Sequence, residues 1–201
     1  MEHWLRTDEY EEAVSTLEMV SEFASTVFAS TVCKDKSRWK WVIIALHNAF
    51  QGFMVLALRT GNGLAVLTEK NAQAWLNALE NNGPYPKKEK LDTCLGLYKK
   101  IKNDKMFANG KGKKLVSTQN QDGSVEKLNQ FRNEFIHFVP KGWSIEVSGF
   151  PGICLDCLEI IKFLALDSEN IRWDEQELRS RCEHALSKTE SIFKDLKERY
   201  T

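Results

Sequence analysis

The chain has 201 residues, with 28 basic and 28 acidic side chains giving a formal net charge of zero. That balance excludes a molecule that grips nucleic acid by its overall charge. The 42% hydrophobic and 28% charged fractions are those of an ordinary globular chain, long enough for one substantial core.

Charge is unevenly spread along the chain. Residues 1–24 carry seven acids against Arg6, and residues 87–114 carry ten lysines against Glu89, Asp92 and Asp104. A lysine excess of that size attracts polyanions even in a neutral molecule, although such a run is more often a solvated loop. The acidic start, MEHWLRTDEYEE, lacks the apolar core of a secretory signal, and the five cysteines are odd in number and scattered. A reduced, cytoplasmic protein is the expectation.

Ala13, Val14, Leu17, Val20, Phe23, Ala24, Val27 and Phe28 recur three and four apart and predict a helix over 8–31. A second helix spans about 37–59, stopped by Thr60-Gly61-Asn62-Gly63. Its segment WVIIALHNAFQGFMVLAL, 41–58, approaches the length of a membrane span. His47, Asn48 and Gln51 stand at its centre, where polar groups are costly in hydrocarbon, and they share an arc of about 100°. That polar stripe makes it the central helix of a bundle rather than a span.

Shorter helices are predicted over 71–79 and 91–101, followed by an exposed loop, KNDKMFANGKGKK. Ser124 reads as the N-cap of the next helix, with Lys127 leaving half a capping box, and Pro140 and Gly142 as its stop. WSIEV, 143–147, alternates like a short extended segment, and GFPG makes a turn. Helices over 153–166 and 175–199 complete the chain. No repeat or dividing linker appears. The expectation is one all-α domain over 1–201, a helical bundle with its core at about 37–166 and terminal helices at 1–31 and 173–199.

The helix after Ser124 carries FRNEFIHF, 131–138, which sets Arg132, Asn133 and His137 in an aromatic run. On a wheel, Leu128, Phe131, Phe135 and Phe138 share an arc of about 80°, the expected core face. Glu126, Gln130, Asn133 and His137 fall opposite, with Asn133 and His137 able to share a surface. Arg132 lies on the border, where its charge must snorkel out or meet an anion or partner. By chemistry alone, a surface asparagine and histidine beside a snorkelling arginine is the commoner arrangement.

Arg132-Asn133, three residues and then His137 resembles the R-x4-6-H signature of the HEPN superfamily, in which a polar residue, often Asn, follows the arginine. LHNAFQGFMVLALR, 46–59, resembles an early helix of that bundle, with Gln51 where many members carry Glu. No role that needs a carboxylate on this helix is therefore carried over. The likeness covers about 37–166.

What the resemblance implies is a bundle of four to five helices that dimerises so that two motif helices face one another. Active members are metal-independent RNases with one composite cleft, and no cofactor is implied. Arg132 and His137 lie about 140° apart on one helix, so two crossing helices would focus what one does not. The resemblance gives Arg132 and His137 catalytic roles and makes Asn133 auxiliary. Histidine titrates near neutrality and serves either proton role, while arginine offers a permanently charged fork to phosphate oxygens. The implied products are 2′,3′-cyclic phosphate and 5′-hydroxyl ends.

Lys111, Lys113, Lys114 and Lys141 would attract the RNA backbone, with His47, Asn48 and Gln51 supporting the motif from the second helix. Implied partners are RNA, a second copy of the chain and an antitoxin protein, if the chain is a toxin or phage-defence effector. The rival reading is a non-catalytic HEPN module that binds RNA, nucleotide or a partner protein. A third is a structural helical protein in which the motif is coincidence.

Cys154 and Cys157 form a C-x-x-C, yet no second pair has matching spacing and both stand in an apolar helix, ICLDCLEIIKFL. Small buried residues are the expected reading, against a four-ligand site completed by Cys182 and His184. GKGKK, 110–114, lacks the rest of a phosphate-binding loop. Trp143 follows the motif closely enough to stack on a base, although packing is its commoner use.

Overall fold

Asp8 closes the acidic N-terminal run as a cap. Its Oδ1 accepts the backbone N–H groups of Tyr10 and Glu11, each at 2.9 Å, and α1 (Glu9–Ser30) follows. The computed structural model describes residues 4, 7–30, 36–59, 61–103, 112–137, 142 and 144–200. It continues with α2 (Trp39–Leu58), α3 (Glu69–Glu80), α4 (Cys94–Ile101), α5 (Gln119–Ile136), α6 (Phe150–Lys162) and α7 (Gln176–Tyr200). A 3-10 turn, Leu64–Val66, follows α2, and α6 runs into a π turn, Phe163–Asp167. Among the described residues there is no strand, only an isolated bridge between Leu67 and Leu91, so the chain is all-α.

The long helices form a ring in which α1 packs on α2, α2 on α5, α5 on α6, α6 on α7 and α7 back on α1. The short α4 wedges against α2 and α5. Thirteen of the twenty residues of α2 are buried, among them Trp39, Phe50 and Phe53. This is the one helix, among the described residues, long and apolar enough to cross a membrane. Here most of it is buried in protein, and each large apolar side chain so buried is worth roughly 1.5–3 kcal/mol. The terminal helices are walls of the same core. Val14, Leu17, Val20, Ala24 and Val27 of α1 are wholly buried, as are Cys182, Phe193 and Leu196 of α7.

Several boundaries differ from the sequence expectation. α5 begins five residues before Ser124, because Thr118 and Gln121 form a complete, reciprocal capping box. Ser124 is then a buried residue of the helix body, and its hydroxyl donates to Asp156 at 2.5 Å. α5 ends at Ile136, where the ring of Pro140 would clash with the carbonyl four residues back and withhold its hydrogen bond. GFPG opens α6 rather than forming a separate turn, with Pro151 in the first turn, where its missing N–H costs nothing. Thr93 caps α4, which starts at Cys94 rather than Leu91. Ile145 and Val147 do pack on the core while Ser144 and Glu146 face out, but residues 144–147 have no ladder partner.

Candidate functional site

The motif end of α5 is positioned by α2, which runs antiparallel to it. Trp39 meets Phe131 through Phe150, His47 meets Asn129, and Phe50 meets Asp122 through Tyr98. The edge-on and tilted aromatic contacts at Phe150, with ring centroids 5.4 Å from Trp39 and 4.8 Å from Phe131, fix the last turns of α5 against α2 and α6. Leu128 is fully buried and Phe131 and Phe135 are partly buried against the core, as the wheel predicts; Phe138 lies outside the described residues.

Arg132 is half-buried on the α2 side of α5, and its Nη1 donates to Oδ1 of Asn133 at 3.0 Å. Asn133 therefore steadies Arg132. The backbone carbonyl of Asn133 accepts the N–H of His137 at 2.9 Å, closing the helix. His137 is the C-cap, with φ −87° and ψ 93°, and its side chain is exposed. The histidine thus stands at the exit of the helix rather than within it. Five residues of helical rise place it roughly 7 Å from Arg132 along the axis.

Behind this pair, His47 of α2 is 4% exposed, and its Nε2 donates to Oδ1 of Asn129 at 3.2 Å. Burial holds the His47 imidazole below its ordinary pKa; the Asn129 hydrogen bond opposes that shift and the Arg132 charge adds to it. An uncharged histidine is what a site beside an arginine accommodates best. Cys94, at the start of α4, feels the same arginine, but burial dominates and pushes its thiol up to about 12.

Asn129 escaped the sequence reading. Its only signal is its place one turn before Arg132 and Asn133, which on a helix puts all three on one side. The polar stripe of α2 divides in the structure. His47 turns inward to α5, Asn48 is exposed and Gln51 is half-buried.

Of the lysines expected to hold nucleic acid, the two described ones are not beside the motif. Lys113 and Lys114 precede α5, and its rise sets them roughly 20 Å or more from Arg132. Lys113 is moreover tied to the end of α6. Its N–H donates to Ser168 O at 2.7 Å, and its ammonium meets Asp167 O at 3.1 Å and Glu169 at 2.9 Å. A cation at a helix C-terminus is favoured by the dipole, which gives Lys113 a structural use. Lys111, Lys141 and Trp143 lie outside the described residues.

Cys154, Cys157 and Cys182 are fully buried, with burial raising their thiol pKa values, whereas His184 is exposed. Among the described residues no three His, Cys, Asp or Glu side chains converge as metal ligands.

A groove of about 760 Å³ between α6, α7 and residues 113–116 has an apolar floor that includes Leu155, Leu158, Phe163 and Leu186. Three of its acids are already engaged. Glu159 accepts from Gln121, Asp156 from Ser124, and Glu190 from both Lys162 and Lys194. The Arg132 end of α5 is different. Among the described residues no carboxylate pairs with that guanidinium, so its charge is open to an incoming anion. Compared with protein families, curated proteins and solved structures, the chain matches none.

Proposed function

We propose that this chain is an endoribonuclease of the HEPN type, working as a homodimer on RNA without a metal. The observation that carries the reading is the state of Arg132. It is half-buried and held by a neutral amide at 3.0 Å, with an exposed histidine a little over one turn further along. A guanidinium so held keeps its charge for a phosphate, whose oxygens match its fork and whose pentacovalent state gains most from it.

In the proposed reaction the 2′-oxygen attacks the adjacent phosphorus and the 5′-oxygen leaves, giving a 2′,3′-cyclic phosphate and a 5′-hydroxyl. His137 of one copy takes the 2′-hydroxyl proton, and a second imidazole, that of the other copy, returns a proton to the 5′-oxygen. Arg132 neutralises the phosphorane, and Asn133 holds the guanidinium in register for it. His47 and Asn129, bonded to each other, lie on the α2 side of Arg132.

The test is cleavage of single-stranded and structured RNAs in EDTA by the wild type, Arg132→Ala and His137→Ala, with product ends identified. Cleavage by the wild type alone, leaving cyclic phosphates, is the expected result. If correctly folded wild type cleaves none of the RNAs yet binds them through Arg132, the chain is a binding module of the same architecture.

A further inference from the structure

The basic run at residues 87–114 divides once its lysines are placed. Lys100 is taken by Asp92 and the Leu67 carbonyl, Lys102 by Asp122, and Lys113 by Glu169. Lys87, Lys88 and Lys90 are exposed, and none of them meets a carboxylate among the described residues. These three follow Tyr85 on the loop that returns from α3 toward α4. Tyr85 is 53% exposed, and Trp75 of α3 backs its ring, with centroids 5.1 Å apart and planes 34° from parallel. One side of the phenol ring is thus covered, and over half of the residue is open to solvent.

The loop is held in shape. Pro84 and Pro86 restrict the backbone on both sides of Tyr85. The N–H of Gly83 donates to Ala78 O at 3.0 Å, and that of Lys90 to Asn71 Oδ1 at 2.9 Å. Asn71 Nδ2 donates in turn to Lys88 O at 3.2 Å, and the Lys90 carbonyl accepts the N–H of Thr68 at 2.9 Å. The backbone beneath the lysines is therefore fixed before anything binds, which lowers the ordering cost of binding through their side chains.

We propose that this loop is a binding site for single-stranded RNA, with Tyr85 stacking on an unpaired base and Lys87, Lys88 and Lys90 holding the adjacent phosphates. A ring beside unpaired cations is the combination that grips a single strand, since every base has a π face and every nucleotide a charge. A duplex keeps its base faces stacked inside and offers the ring nothing. Helix α3 also exposes Leu76 and Leu79, at 37% and 50%, but it carries Glu69 and Glu80 against Lys70, so an anionic bilayer is the poorer fit. The site is separate from the motif. The 3-10 turn that leads to α3 packs on α2 and follows its C-terminus, and His47, eleven residues before Leu58, is level with Asn129. Helical rise sets the loop roughly 20 Å from Arg132 along the bundle, so a strand must be several nucleotides long to touch both. Neither the ring nor the lysines sense a 2′-hydroxyl. The choice of RNA over DNA rests on the nuclease reading, whereas the binding is measured apart from it.

The experiment titrates the full chain into a fluorescent 2′-O-methyl oligouridine, which lacks the attacking hydroxyl, and reads anisotropy across a salt series. The variants are Tyr85→Ala, Tyr85→Phe and the triple change Lys87→Gln, Lys88→Gln and Lys90→Gln. Each position is exposed, so each variant is expected to keep the wild-type melting curve. Tyr85→Ala should bind roughly tenfold more weakly, while Tyr85→Phe, which keeps the ring, binds as the wild type does. The triple variant should lose about two from the slope of log affinity against log salt, the share of three phosphate contacts. Wild-type affinity and slope in both Tyr85→Ala and the triple variant overturn the proposal, as does a wild type that binds phosphatidylserine vesicles and not the strand. Cleavage of unmodified RNA by the same samples separates this site from the nuclease. Binding that depends on Tyr85 without any cleavage leaves the loop's role standing and sinks the nuclease; cleavage with KM unchanged in Tyr85→Ala does the reverse.

Discussion

Two arginines in this bundle show how the same side chain is used to opposite ends. Arg181 of α7 reaches α1 and is answered by two carboxylates. Its Nη1 and Nη2 meet Glu11 at 2.9 and 2.8 Å, and its Nε and Nη2 meet Glu18 at 2.9 and 2.7 Å. The hydrogen bonds from Arg181 hold the Glu18 carboxyl below its usual range. Four of its five N–H groups are taken by carboxylates, and the contact joins the first long helix to the last. Arg132 also has an acceptor, but it is the amide of Asn133, and its near neighbour is a histidine whose burial lowers its pKa. One guanidinium is spent on the fold, and the other is held in place with no carboxylate against it among the described residues.

Removing each arginine in turn separates the two uses. Arg132→Ala should lower the RNA cleavage rate by roughly two to three orders of magnitude, the usual loss when one stabilising donor leaves a reacting oxyanion. Its unfolding curve should stay near that of the wild type. A variant that cleaves at the wild-type rate would remove Arg132 from the chemistry. Arg181→Ala should do the opposite, keeping cleavage and losing about 1–2 kcal/mol in a urea titration, since the network is partly exposed and leaves two glutamates facing each other. That loss should shrink in high salt. An unchanged midpoint would mean the clasp adds nothing to stability.

A finer effect concerns His47, on the α2 side of Arg132. Because burial lowers the His47 pKa from 6.5, the unfolded chain binds the proton more readily than the folded one. The stability due to neutral His47 is therefore present above pH 6.5 and is lost as the pH falls below it. His47→Gln, which keeps a polar partner for Asn129, should flatten this part of the stability profile, and an unchanged slope would refute the assignment. The smallest predicted effect lies at the far end of α5. There Asp122 accepts from Tyr98, Lys102 and Ser117, and these bonds pull its pKa from 3.8 to about 2. Its contribution is present above pH 3.8 and disappears between 3.8 and 2, so Asp122→Asn should lower stability slightly above pH 3.8 and remove that acid limb, as circular dichroism against pH would show.

How much of this was legible beforehand varied by element. The periodicity of Ala13 to Phe28 gave α1 nearly to the residue, because a continuous apolar face repeats through about four turns. The start of α5 was misplaced although its signal, Thr118 followed three residues later by Gln121, is written in the chain; the stretch after it, QNQDGS, has no apolar repeat to draw attention to it. The aromatic face of α5 could be read from spacing. That Arg132 turns to α2 and that Asn133 supports it could not, since a border residue on a wheel is equally free to turn either way.

The sequence by itself determined an all-helical chain, the apolar face of each long helix and the presence of Arg132, Asn133 and His137 within six residues. These follow from local rules of 3.6-residue periodicity and capping, which need no knowledge of neighbours. Tertiary structure alone decided that α1 and α7 wall the core, that His47 turns inward while Asn48 turns out, and that Lys113 is tied to α6 far from the motif. It also decided which arginine meets acids and which does not. Those outcomes depend on which helices become neighbours across 54 to 170 residues of chain, and charge satisfaction between them is a property of packing that spacing along the sequence does not encode.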